Sequence, residues 1–247
     1  MITQKNTAII IPARLAATRL PNKPLIMING KPMIHHVWER ACESNLGEVV
    51  VATDSKEIQK VIEDNGGTAC LTLMDHQSGT DRIYEALQKC DTENKIKYVI
   101  NLQGDLPNID TPSLSKVLQL LENKKVNIGT LVVRINDETD LHKSQIVKAL
   151  CMFQKNEIRT KALDFQRLPK DVSVNDLYHH IGIYSYTRES LSQFVKLDQT
   201  KRERDEKLEQ LRALENNMHI EAALIDFLPL GVDTPEDLEV IKGLMRK

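Results

Sequence analysis

The sequence lacks the two commonest nucleotide fingerprints. Neither GxxxxGK[ST] nor GxGxxG occurs in its 247 residues, which excludes a P-loop and the usual dinucleotide-binding signature. It also lacks an excess of charge of either sign. Lys and Arg number 33 against 35 Asp and Glu, a net charge of −2, so there is no global basic field for nucleic acid or a membrane surface. Any polyanion must be met by a local cluster. Cysteine is scarce and scattered: the four, Cys42, Cys70, Cys90 and Cys151, form no CxxC, which argues against zinc and redox motifs. Cys42, Cys70 and Cys151 sit in apolar stretches and read as reduced packing residues. Long apolar runs are missing too. The start, "MITQKNTAIII", has no extended hydrophobic region and no window is apolar enough to span a bilayer, so a cytoplasmic protein is expected. There is no internal repeat and no low-complexity segment.

What remains is 41% apolar and 28% charged, enough for one large α/β domain with or without a smaller subdomain. Short apolar strands alternate with amphipathic helices. Ala8–Ile11 predicts a first strand, "KPMIHHVWERACES" a helix, and "EVVVATD" a second strand. "SKEIQKVIEDNGG" predicts a helix capped by Ser55 and stopped by a glycine pair. "TACLTL" is a third strand, "TDRIYEALQKC" a helix, "KYVINLQGD" a fourth strand, and "TPSLSKVLQLLENK" a helix with Thr111 as its cap. This rhythm predicts a Rossmann-like, mostly parallel sheet with helices on both faces, binding ligands at the carboxyl ends of its strands.

Beyond about Asn127 strands dominate: "IGTLVVRI", "QIVKALCMF" and "HHIGIYSYT". Residues 156–174 are weakly patterned and predict loops. "DEKLEQLRALENN" predicts one helix, "HIEAALIDF" a strand, and "TPEDLEVIKGLMRK" a closing helix capped by Thr234. The mixed-sign run "KRERDEK" reads as a solvated helix face. A single domain over 1–247 is expected, carrying an inserted subdomain at approximately 127–217.

The chemistry concentrates at strand ends. "AIIIPARLAATRLPNKPL" runs a buried strand into a loop holding Arg14, Arg19 and Lys23. Arg offers a rigid fork for phosphate oxygens and Lys a mobile point charge, so the loop suits a triphosphate, or else a solvated surface. "INLQGDLP" ends a strand in Gly104-Asp105, and "LPLGVDTP" supplies Asp233. Two such carboxylates, with substrate phosphates and water, suit Mg²⁺. Asp233 could equally be a plain acid at a helix N-terminus. In "YHHIGIYSY", His180 and Tyr184 alternate onto one face, either lining a sugar pocket or forming the wet side of a strand. His35 and His36 read as non-functional.

In order, "IIPARLAATRLPNKPL", "GKPMI", "VATD", "DHQSGTDR", "NLQGD", "HHIGIYSY", "LEQLR" and "GVDTPEDL" resemble the CMP-KDO synthetases, the 3-deoxy-D-manno-octulosonate cytidylyltransferases. CMP-sialate synthetases are the nearest relatives of that family. The resemblance covers nearly the whole chain. It implies a nucleotide-diphospho-sugar transferase fold and attack by the anomeric hydroxyl of KDO on the α-phosphorus of CTP, giving CMP-KDO and pyrophosphate for lipopolysaccharide assembly. By resemblance Arg14, Lys23 and Asp105 are catalytic; Arg14, Arg19, Lys23, Ser78, Gly79, Arg82 and Gln103 bind CTP. Arg19, Gln103, His180, Tyr184, Glu209 and Gln210 bind the sugar, and Asp105 and Asp233 hold Mg²⁺. The family and the irregular middle region also suggest a homodimer. The sequence departs from the family at Leu106, where an acid is usual, and at Gln154-Lys155, where Ser-Arg is usual. Those departures leave open a related acidic sugar (8-amino-KDO or sialic acid), or a nucleotide-binding homologue without catalysis.

Overall fold

Apolar side chains on both faces of one strand mark the middle of a parallel sheet, and β1 (Thr7–Ala13) is such a strand. Ile9, Ile10 and Ile11 in it are completely buried. The computed structural model describes residues 1–15, 20–169 and 173–246. Arg19, a candidate for both phosphate and sugar, lies outside the described residues. The described chain divides into two units, residues 1–115 with 229–247, and residues 116–228.

The first unit continues with a small hairpin, β2 (Met27–Ile28) and β3 (Lys31–Pro32), then α1 (Met33–Glu43), β4 (Glu48–Thr53) and α2 (Lys56–Asp64). β5 (Thr68–Leu71), α3 (Gly79–Cys90), β6 (Tyr98–Asn101) and α4 (Thr111–Gln119) follow. Its strands run in the order β5-β4-β1-β6, each pair parallel. Ser55 caps α2 as expected, its oxygen accepting from the backbone N–H of Glu57 and Ile58. Thr111 is the first residue of α4 instead of its cap.

The second unit holds β7 (Ile128–Arg134), β8 (Lys148–Cys151), β9 (Arg159–Gln166), β10 (Leu177–Thr187) and α5 (Arg188–Phe194). α6 (Lys201–Glu206), α7 (Gln210–Glu215) and β11 (Ile220–Leu224) complete it. In this unit β7 and β11 pair in parallel; β10 pairs antiparallel with β7 and β8, and β9 antiparallel with β8 and β11. The chain returns to the first unit before its last helix, α8 (Pro235–Leu244).

Several further expectations fail here. β9 occupies a stretch expected to be loop. The helix expected over "DEKLEQLRALENN" is two helices, broken at Lys207 in the left-handed conformation, φ 53°. The Arg167 guanidinium holds that break by donating to the carbonyls of Glu206 at 2.7 Å and Lys207 at 3.2 Å. "KRERDEK" is a helix, yet Glu203 within it is buried and paired with Arg212 through two N–H···O contacts, 2.5 and 2.9 Å. Of the cysteines, Cys70 and Cys151 are buried as expected, while Cys42 is exposed. Among the described residues no helix is long and apolar enough to cross a membrane.

Candidate functional site

From Leu20 onward, the chain that follows β1 is held by packing that the C-terminal segment supplies. Leu20, Ile28 and Met33 form one buried cluster with Val232 and Ile241, and Leu230 and Leu238 pack on it. This cluster brings Lys23, in a single 3₁₀ turn at Lys23–Leu25, beside residue 233. A second tie joins the two acidic strand ends, where the Val232 N–H donates to the Asp105 carbonyl at 3.0 Å.

The result is one cation between two carboxylates. Lys23 Nζ donates to Asp105 Oδ2 at 2.7 Å and to Asp233 Oδ1 at 2.9 Å. Burial works against the ammonium, but Asp105 and then Asp233 outweigh it, and the Lys23 pKa is raised. The plain helix-end reading of Asp233 does not hold. The cap of α8 is a reciprocal pair in which Thr234 accepts from the Asp237 N–H and Asp237 accepts from the N–H groups of Asp233 and Thr234. Thr234 and Asp237 thus do the capping, while the Asp233 carboxylate turns to Lys23.

These three residues line a cavity of about 400 Å³ together with Arg14, Gln103 and the segment from His76 to Gly79. Arg14 is exposed on its wall. Gly104 lines it too, but the glycine is required by the protein itself: an added Cβ would stand 3.0 Å from the Pro12 carbonyl oxygen and 3.3 Å from Ile34 Cδ1. Gly104→Ala is therefore expected to lower stability by about 1–3 kcal/mol, an overpacking cost, and to displace Asp105. Thermal melting measures the first, and a drop in turnover larger than the drop in folded fraction measures the second.

The remaining candidates divide between contact with the cavity and structural duty. The Ser78 hydroxyl caps α3, accepting from the Asp81 N–H and donating to the Asp81 carboxylate at 2.8 Å. Arg82 reaches the cavity but is only 3% exposed, and its guanidinium serves Asp54 Oδ2 at 3.0 Å and Thr72 Oγ1 at 2.5 Å. Its charge is already matched inside the protein. Gln103 donates to Asn101 Oδ1 at 3.0 Å, and Asn101 to Thr80 Oγ1 at 3.4 Å, so its amide is oriented by a short chain into α3. His76 lines the cavity as well and was not among the candidates, though it stands inside the quoted motif "DHQSGTDR".

Of the six sugar candidates, His180, Tyr184, Glu209 and Gln210 lie in the second unit, whereas Gln103 lies in the first and Arg19 is outside the described residues. His180 and Tyr184 have ring centroids 5.6 Å apart, and Glu209 lies within electrostatic reach of Tyr184. Glu209 and Gln210 stand at the start of α7. The simple alternation along β10 is interrupted by a bulge between Ile181 and Tyr184, into which Thr130 Oγ1 fits, donating to the Ile183 carbonyl at 3.0 Å. Thr130 also meets His180 Nε2 at 3.0 Å. Burial pushes the His180 imidazole down to about 3, keeping it neutral, and burial raises the Tyr184 phenol well above its ordinary value. Gln210 Nε2 is buried and has no partner among the described residues. Of the departures, Leu106 is buried, while Gln154 and Lys155 line a second opening of about 430 Å³ with Arg134 and Tyr178.

A sequence model of a family described as cytidylyltransferase matches residues 8–220. The chain is 45% identical over 238 residues to the 3-deoxy-manno-octulosonate cytidylyltransferase of Paramagnetospirillum magneticum, covering 96% of this chain and 97% of that one. The chain belongs to the 3-deoxy-manno-octulosonate cytidylyltransferases. The protein of that name from Afipia carboxidovorans is 46% identical over 246 residues, 100% of this chain and 99% of its own. A solved structure of CMP:2-keto-3-deoxy-manno-octonic acid synthetase complexed with CTP superposes with a TM-score of 0.87 at 36% identity, covering 97% of this chain and 98% of that one. The cytidylyltransferase fold is thus shared end to end.

Proposed function

We propose that this chain transfers the cytidylyl group of CTP to the anomeric hydroxyl of 3-deoxy-D-manno-octulosonate, releasing pyrophosphate. The observation that carries the reading is the meeting of Lys23, Asp105 and Asp233 on the wall of one cavity that also presents Arg14. In a family whose solved member holds CTP, such a wall suits a triphosphate and its cation. The Arg14 fork and the Lys23 ammonium would neutralise phosphate oxygens, and the segment His76 to Gly79 would enclose the base.

Mg²⁺ belongs to the same proposal. Two carboxylate oxygens already converge on a single cationic point, and among the described residues no group of three or more His, Cys, Asp or Glu forms a protein-only cage. That donor set fits an ion that takes one or two carboxylates and completes its shell with phosphate and water. Held by Asp105 and Asp233, it would supply charge neutralisation at the α-phosphate and lower the pKa of the attacking hydroxyl. For the acceptor, the polar groups proposed are His180, Tyr184, Glu209 and Gln210; the buried Gln210 amide is a donor in want of an acceptor. A cytoplasmic homodimer is the form proposed. Free cysteines suit a reducing compartment, and Met152, Ile158, Leu163 and Leu168 are each exposed apolar residues that contact with a second copy would cover.

Pyrophosphate release from CTP and Mg²⁺ with each of three acceptors tests the reading. Release is expected with 3-deoxy-D-manno-octulosonate, at a kcat/KM at least about tenfold above its 8-amino variant and sialic acid. Preference for either of those moves the assignment to a related acidic sugar. CTP binding without release on any acceptor overturns it.

A further inference from the structure

Glu85 stands outside the cavity and outside every motif used above, yet one wall of the cavity hangs from it. It lies on the second turn of α3, and its carboxylate collects three donors. Leu73 N–H donates to Oε2 at 2.9 Å, His76 Nε2 meets the same oxygen, and Lys89 Nζ reaches Oε1 at 2.6 Å. Burial alone would raise this carboxyl, but Lys89, His76 and the Leu73 N–H together pull it down to about 2. Glu85 is therefore an anion, an acceptor only, throughout the neutral range. That makes His76 Nε2 the donor of the pair and fixes the ring's tautomer and direction.

Before the loop, Thr72 is anchored, its N–H donating to the Thr53 carbonyl at 2.8 Å and its hydroxyl accepting from Arg82 at 2.5 Å; beyond Thr72 the near end leans on Glu85. Leu73 and Met74 are 67% and 77% exposed, so no apolar anchoring is available there. At its far end Ser78 begins α3 through the cap already described. Between these points His76, Gln77 and Ser78 line the cavity. We infer that Glu85 is a positioning residue for nucleotide binding: it sets the height of the loop from Leu73 to Ser78 and the orientation of His76 against the bound nucleotide. The inference rests on the reading of this cavity as the CTP site.

Glu85→Ala should raise the KM for CTP about tenfold while kcat stays within about twofold, the mark of lost binding without lost chemistry. Glu85→Gln keeps an acceptor for Leu73 N–H but loses the charge, and should fall between Ala and wild type. Because it is isosteric it also carries the test should the Ala variant fail to fold. Amide exchange at Leu73, read by NMR, should speed up in the same order. His76→Ala should repeat the rise in KM while leaving the Leu73 amide protected. Faster Leu73 exchange with an unchanged KM would overturn the inference, as would a fall in kcat at constant KM. Lys23→Met serves as reference. If it weakens CTP binding and both Glu85 variants do not, the inference about Glu85 falls alone. If neither residue affects CTP affinity, the cavity is not the nucleotide site, and the reading beneath it falls as well.

Discussion

Asp105→Asn leaves a folded protein that turns over at roughly a thousandth of the wild-type rate or less, the scale on which removing one preorganised electrostatic contact slows a reaction. The fold should survive because the structural work of this residue is done by its backbone: its carbonyl accepts from Val232 N–H at 3.0 Å, which an amide side chain does not disturb. Lys23 likewise keeps its bond to Asp233 at 2.9 Å, and the asparagine oxygen still offers an acceptor at the same place. A role limited to fixing Lys23 would therefore be largely preserved in the amide. What the amide removes is the negative charge that a hard divalent ion requires. Pyrophosphate release under saturating CTP, sugar and Mg²⁺ measures the loss, with thermal melting to show that the fold persists. A rate within tenfold of wild type would end the assignment of Asp105 as a metal ligand.

Much of the first unit is legible in the sequence because its causes are local. A parallel strand buried on both faces must be apolar throughout, and "AIIIPA" is. A helix start needs a side-chain oxygen that accepts from the free backbone N–H groups of the first turn, and Ser55 and Thr234 each announce one. The second unit hides its causes. In β9 Arg159 and Lys161 face solvent and Ala162, Phe165 and Gln166 are buried, a pattern with no clean period of two, because the register with β8 shifts between Leu150 and Cys151. The break between α6 and α7 looks like continuous helix in sequence, since Lys207 and its neighbours are good helix formers. It is held by Arg167, some forty residues earlier in the chain, a partner that no local window contains.

The site divides in the same way. Strand ends are visible, and so are the charges placed on them, which is why Arg14, Lys23, Asp105 and Asp233 could be read as one group. What each charge does depends on partners distant in sequence. Arg82 reads as a base contact in its motif, but Asp54, on the neighbouring strand end, already pairs with it. Glu85 looks like an ordinary polar position on an amphipathic helix until the loop from Leu73 to His76 folds back onto it. Conversely Asp233 is rescued from its plainest reading by Asp237, which takes over the helix cap.

Lys23→Met should change two measurements in opposite directions. In the structure the lysine ammonium occupies the point where Asp105 and Asp233 converge, 2.7 and 2.9 Å from their oxygens. A divalent ion seeking those carboxylates in the nucleotide-free protein must first displace it, breaking two charge-assisted hydrogen bonds of about 1.5–3 kcal/mol each. Methionine has nearly the same stem and no charge, so the competitor disappears. Mn²⁺ affinity of the nucleotide-free variant, by calorimetry, should therefore rise about tenfold or more above wild type. Arg14→Met removes the same charge from the same cavity without contacting either carboxylate, and should give a much smaller rise. Turnover should move the other way. Without the ammonium the triphosphate loses one of its two described cations, and the KM for CTP should rise by about tenfold to a hundredfold. Melting supplies a further sign: two carboxylates left facing each other should lower the Tm in chelator, and Mn²⁺ should restore it. If Lys23→Met binds Mn²⁺ no better than Arg14→Met does, the lysine is not the occupant that a metal ion replaces. The two carboxylates would then owe their meeting to the lysine alone.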